Sequence, residues 1–129
     1  MNVESALTKN PHQIRVLEGQ LFDAKRERDG SRLKGRLREA DIALWAAGTT
    51  EDGKKRFANQ DARDAATRSS LEGDEEYRKY RAEGDRLEAE IARMEAAVAF
   101  LQNTMRNARV MMLSRSPFDA VFDLGEDGA

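Results

Sequence analysis

The sequence predicts an all-α fold, either a helical hairpin or a three-helix arrangement with a long C-terminal coiled-coil helix. Three observations support this prediction. Charged residues make up 36% of the chain and aromatic residues only 6%, a composition typical of long helices with a narrow apolar seam. The two prolines, Pro11 and Pro117, leave 105 residues between them without a helix-breaking proline. Apolar residues towards the C-terminus recur at alternating spacings of three and four.

The N-terminal part predicts a flexible arm over residues 1–9 and a first helix over about 11–47. Asn10 can cap this helix, and Pro11 suits its first position, because a proline there loses no hydrogen bond that the helix needs. The step of eleven residues from Phe22 to Leu33 breaks the heptad register around Gly30. The predicted apolar stripe of the helix therefore has two parts, Ile14, Leu17, Leu21 and Ala24, and then Leu33, Leu37, Ala40 and Leu44.

The middle of the chain predicts a turn and a second helix. Four polar residues lie between Gly48 and Gly53, which is typical of a turn. Trp45 is expected to close this end of the hairpin. An alanine-rich helix is predicted over about residues 54–71. Asp74 can then cap a third helix over about 74–114, and the sequence leaves open whether the chain reverses or only kinks near Gly73.

The third helix carries the clearest pattern. From Tyr77 onward, apolar residues keep the 3-4 spacing through five heptads without a slip. Ser116 and Pro117 end the helix, so the helical coiled-coil domain is predicted over residues 10–116. Its apolar heptad positions form a predicted oligomer seam: Leu87, Ile91, Met94, Val98, Leu101, Met105, Ala108 and Met112.

Self-association is predicted from the register of the hairpin. If the chain folds back around the turn after Gly48, facing residue numbers sum to roughly 100, because both helices rise about 1.5 Å per residue. Ile14 would then face Leu87, and the seam from Val98 to Met112 would lack a cover, at about 1.5–3 kcal/mol of lost burial for each residue. A homodimer or higher oligomer would cover it, with flanking charges favouring antiparallel pairing. A reversal at Gly73 would instead bundle the helices within one chain.

A basic run in the first helix predicts one of two surfaces. It has a net charge of +5 over fourteen residues, enough to contact several nucleic-acid phosphates. The alternative is a solvated face that pairs with acids on the neighbouring helix, where residues 62–75 are expected. The basic residues of this run are Lys25, Arg26, Arg28, Arg32, Lys34, Arg36 and Arg38.

Residues 117–129 form an acidic-aromatic tail with four acidic residues and no basic residue. Phe118, Val121 and Phe122 would share one face of a short helix. Such a tail can dock in a basic-rimmed groove of another protein, and the alternative is that its phenylalanines fold back on the chain's own helices.

The sequence offers little for catalysis, metal binding or membrane insertion. His12 is the only histidine and no cysteine occurs, so a histidine metal cluster is not available and the sequence shows no convincing Ser/His/Asp arrangement. We therefore expect no catalytic residues, no metal and no cofactor, and we expect the chain not to be an enzyme. The sequence has no apolar run of about 20 residues. These features predict a soluble, cytoplasmic protein.

Two segments resemble a family of small helical proteins. The segment from Gly53 to Arg63, and the segment from Leu71 to Tyr77 before the heptads, are similar to proteins of unknown function from tailed bacteriophages and prophages, over roughly residues 10–113. The resemblance implies a protein of the bacterial cytoplasm that is often encoded among early replication and recombination genes. It implies no catalytic residue, and the tail has no counterpart in it.

Together these features predict a non-catalytic, oligomeric coiled-coil adaptor or accessory protein of phage origin. A nucleic-acid-binding accessory factor in phage replication or recombination is the alternative, and it would use the basic run. An inhibitor of a host defence complex is a third hypothesis, which the small size allows.

Overall fold

The computed structural model describes residues 2–114, which form three α-helices: α1 (Val3–Ala47), α2 (Gln60–Gly73) and α3 (Glu75–Leu113). The predicted all-α fold with a long C-terminal helix is confirmed. The chain divides into two compact units, whose described residues are 2–22 with 92–114 in the first and 23–91 in the second. Within the described residues, no helix combines the length and the apolar character needed to cross a membrane.

Helix α1 begins at Val3, so the predicted arm over residues 1–9 and the predicted start at Pro11 are wrong. Asn2 acts as the cap, because its Oδ1 accepts a hydrogen bond from the Ser5 N–H at 3.0 Å. Pro11 therefore lies inside the helix, where it lacks the N–H that would bond to the carbonyl four residues earlier. Asn10 does not cap a helix but is buried, and its Nδ2 donates to the Leu101 carbonyl at 3.4 Å.

In the second unit, α1 and α3 run antiparallel in a register that differs from the prediction. Arg38 bonds to Asp74, although the predicted register places residue 62 opposite Arg38. Arg28 and Arg32 bond to Glu88, whereas Arg38, further along α1, bonds to Asp74 at the start of α3, so the two helices run antiparallel. The predicted register assumed a continuous helix on both sides of the turn. Residues 48–59 instead form an irregular connection before α2, so residue numbers do not advance at the same rate on both sides.

In the first unit, α1 contacts the part of α3 that the predicted register left uncovered. The Asn10–Leu101 hydrogen bond shows that α1 reaches the segment from 98 to 112, which the prediction left without a partner. Ile14 lines a groove together with Met105, so the predicted neighbour Leu87 is also wrong. Helix α1 also starts eight residues earlier than expected, so about two helical turns precede the Asn10 contact.

The second half of α1 packs with a different face from the one predicted. Buried or half-buried positions after Ala24 include a row that keeps the 3-4 spacing: Arg28, Ser31, Gly35, Arg38 and Ile42. Glu39 beside this row is half-buried too. The interruption predicted around Gly30 is therefore wrong. Small and polar residues continue the seam, and a methyl group added at Gly35 would lie 3.9 Å from the Tyr80 Cβ. Leu33, Leu37 and Leu44 are exposed instead.

The predicted turn after Gly48 is confirmed. Thr49 and Lys55 form an isolated antiparallel bridge, and Gly53 has φ +77°, a value that glycine adopts at little cost. The ring of Trp45 meets Phe57 edge to face, with centroids 5.8 Å apart, so it packs on this connection and stays partly exposed.

Helix α2 begins at Gln60, six residues later than predicted. Asn59 caps it by accepting a hydrogen bond from the Ala62 N–H at 2.8 Å. The residues before it are held in the bridge and turn, so they cannot join the helix. None of the α2 side chains is buried.

A single residue, Asp74, separates α2 from α3. Its backbone is extended at φ −83° and ψ 114°. Its Oδ2 accepts a hydrogen bond from the Tyr77 N–H at 2.9 Å, so the predicted cap of the third helix is confirmed.

Candidate interaction surfaces

An apolar stripe lies on the solvent-facing side of α1 in the second unit. Leu33, Leu37 and Leu44 are 50%, 57% and 72% exposed, and Ala40 between them is also exposed. At about 100° per residue, these four positions lie opposite the buried positions Gly35 and Ile42. We call Leu33, Leu37, Ala40 and Leu44 the outward stripe. The sequence pattern had assigned these residues to the internal seam.

Charged residues of both signs flank the outward stripe. Asp29 and Arg36 lie along one side, and Lys34 and Asp41 along the other, at the positions next to the apolar pattern. All four are exposed. A rim of mixed charge around apolar residues is typical of a surface that binds another helix.

A basic-rimmed groove occurs in the first unit, between the start of α1 and the end of α3. It has a volume of about 710 Å³. Pro11, Ile14 and Met105 supply its apolar floor. Arg15, Arg106, Arg109 and Gln102 supply the rest of its lining.

The predicted seam residues of α3 are mostly covered within one chain. Leu87, Ile91 and Ala108 are 2%, 1% and 0% exposed. Met94, Val98, Leu101 and Met105 are half-buried, while Met112 is exposed. The seam therefore does not need a second chain to cover it, although self-association itself stays a prediction.

The basic run is divided between ion pairs and exposed groups. Arg28 and Arg32 both donate to Glu88 Oε2, at 3.0 Å and 2.8 Å. Arg38 bonds to Asp74, and Lys34 Nζ lies 5.8 Å from the centre of the Tyr80 ring. The remaining members are Lys25, Arg26 and Arg36, which form no ion pair with another described residue.

The acids that bind this run were only partly predicted. Asp74 was in the expected set, whereas Glu88 lies well beyond residues 62–75 because of the register shift.

Arg38 and Asp74 form the most strongly perturbed charge pair among the described residues. The hydrogen bonds from Arg38, followed by the bond from the Tyr77 N–H, hold the pKa of Asp74 below its usual value. The same pair raises the pKa of Arg38. The hydrogen bond to Glu39 raises the pKa of the Tyr77 hydroxyl, since that bond favours the neutral form. These groups fix the junction of α2 and α3 against α1.

The tail residues predicted to dock on a partner, Phe118, Val121 and Phe122, lie outside the described residues. The groove arginines Arg15, Arg106 and Arg109 were not among the predicted site residues. A signal for two of them was present, since residues 96–114 contain two arginines and no carboxylate.

Within residues 2–114, no group of three or more acidic or histidine side chains is arranged to hold a metal ion. No protein-family model, no curated protein and no solved structure matches this chain. Functional inference therefore depends on the surfaces described above.

Proposed function

We propose that this chain is a non-catalytic coiled-coil adaptor that self-associates through the outward stripe of α1. The observation that carries the proposal is the set of exposed apolar residues opposite the internal seam. An apolar row on a solvent-facing helix lowers its free energy by binding a partner helix. The resemblance to phage proteins supports a role in the cytoplasm of an infected bacterium.

The flanking charges favour a second copy of the chain as the partner. In a parallel pair of α1 helices, Asp29 lies next to Lys34 of the second copy, and Arg36 lies next to Asp41 of the second copy. Both contacts join opposite charges. An antiparallel pair joins only Lys34 with Asp41. On this stripe the charge pattern therefore favours parallel pairing, in contrast to the antiparallel pairing predicted for the α3 seam.

The expected association is weak. The outward stripe spans twelve residues along α1, and the eleven steps from Leu33 to Leu44 correspond to about 17 Å of helix. Stable interfaces bury about 800 Å² on each partner, which is more than a stripe of this length supplies by itself. We therefore expect dimerisation in the micromolar range or weaker.

Sedimentation equilibrium over a range of protein concentrations tests the proposal. The mass should rise from 14.5 kDa towards twice that value as concentration increases. Leu37→Asp should keep the chain monomeric, because a carboxylate would enter the apolar interface. Val16→Asp is the matched control, since Val16 is an exposed apolar residue of α1 away from the stripe. A wild-type monomer at all concentrations, or equal effects of both variants, would contradict the proposal.

The nucleic-acid alternative has less support than self-association. Arg28, Arg32 and Arg38 would have to leave carboxylates on α3 or at its cap before they could contact phosphates. The hypothesis of a host-defence inhibitor has no particular residue in its favour.

A further inference from the structure

The basic-rimmed groove of the first unit carries unbalanced positive charge. None of Arg15, Arg106 and Arg109 forms an ion pair with another residue of the described range. The nearest stretch of α3, residues 96–114, contains no acidic residue to balance them. The floor is apolar. A groove with these properties fits an acidic segment that also carries apolar side chains.

The chain's own tail has this composition. Asp119, Asp123, Glu126 and Asp127 are acidic, and Phe118, Val121 and Phe122 are apolar with a spacing of three and one. We propose that the groove binds residues 118–127 of the same chain. The apolar residues of the tail contact Ile14 and Met105, and its carboxylates pair with Arg106, Arg109 and Arg15.

The length of chain between the groove and the tail allows this contact within one molecule. Ser114 lies five residues after Arg109, a distance of about 8 Å along the helix. Phe118 follows four residues later, and four extended residues span up to about 14 Å. The tail can therefore return to the level of Arg109 without crossing to another molecule.

Binding within one chain also has a competitive consequence. A tethered segment has an effective concentration of the order of millimolar. An acidic partner peptide must displace the tail before it can enter the groove. A partner therefore occupies the groove only when its ratio of concentration to Kd exceeds that of the tethered tail. This inference is independent of the outward stripe, which lies in the other unit.

Engineered cysteine pairs test the contact in the full-length chain, which has no cysteine of its own. A disulfide needs Cβ atoms about 3.5–4.5 Å apart, so it reports close approach. Gln102→Cys with Val121→Cys places one thiol on the groove wall. Asn107→Cys with Val121→Cys is the control, because Asn107 is exposed on the same helix and is nearer to Val121 in sequence than Gln102, but does not line the groove. Circular dichroism should show equal helicity for both variants.

We expect the groove pair to oxidise about tenfold faster than the control pair, and to give a product with the mass of one chain. Adding Arg106→Glu and Arg109→Glu should remove the difference. Equal oxidation rates for the two pairs would overturn the proposal. A product formed only between chains, or a rate difference that survives the charge reversal, would also overturn it.

Discussion

The guanidinium of Arg38 donates two hydrogen bonds to the carboxylate of Asp74, from Nε to Oδ2 at 2.9 Å and from Nη2 to Oδ1 at 2.7 Å. The same carboxylate accepts the N–H of Tyr77 and so begins α3. The Asp74 side chain therefore caps α3 and also binds α1 through Arg38. Bidentate pairing of this kind restrains direction as well as distance.

We expect Asp74→Asn to lower the melting temperature at neutral pH. Asparagine caps a helix about as well as aspartate, so the substitution removes the ion pair and keeps the cap. Because the folded-state pKa of Asp74 is depressed, its stabilising effect is present above the unfolded pKa of about 3.9. The effect is lost as the pH falls through the folded pKa.

Thermal melts of the wild type and of Asp74→Asn should therefore differ at pH 5–7, and the difference should shrink as the pH falls below about 4. Glu72→Gln is the control, because Glu72 is exposed and only two residues away. A difference between wild type and Asp74→Asn that stays constant down to pH 2 would show that the ion pair does not contribute.

Replacing Pro11 should stabilise the chain. Inside α1 this residue removes a backbone hydrogen bond, at a cost of up to about 3 kcal/mol relative to alanine. We expect Pro11→Ala to raise the free energy of unfolding, as measured by urea denaturation. Asn2→Ala should lower it by about 0.5–2 kcal/mol, since Asn2 is the cap. If Pro11→Ala has no effect and Asn2→Ala is neutral, the helix begins at Pro11.

Enlarging Ala108 should destabilise the first unit. This residue has no exposed surface, and adding carbon atoms to a filled interior costs about 1–3 kcal/mol. Ala108→Leu should lower the urea midpoint, whereas Ala99→Leu on the exposed side of α3 should leave it nearly unchanged. Similar midpoints for the two variants would mean that the Ala108 face is open.

The sequence predicted the helices well where the apolar pattern was continuous. The third helix was placed within a residue or two at both ends, because its heptads and the Asp74 cap are local signals. The start of α1 was misplaced because Asn10–Pro11 imitates a cap. The signal of Asn2 was overlooked, although Asn2 occupies a suitable position before Ser5.

The surfaces were harder to predict because they depend on which face of α1 points inward. Leu33, Leu37 and Leu44 predicted a core and the basic run predicted an exposed surface, whereas the structure exposes the three leucines and half-buries Arg28 and Arg38. Local hydrophobicity favoured the wrong face. The inward face is indicated by the 3-4 spacing from Ala24 to Ile42, but only when polar and small residues are counted as members of that row. The basic-rimmed groove could not be found from periodicity, since it depends on the register between two distant segments.

The lack of buried side chains in α2 has a consequence for how stability is distributed. Opening this helix exposes little additional apolar surface, so the free energy required is small compared with that for global unfolding. Amide protons of α2 should therefore exchange with solvent through local opening, while amides beside Leu87 and Ile91 exchange only when the paired helices separate. Substitutions in α2 that preserve its helix propensity should therefore be tolerated. This tolerant segment ends at Asp74, which is held by Arg38 and caps α3.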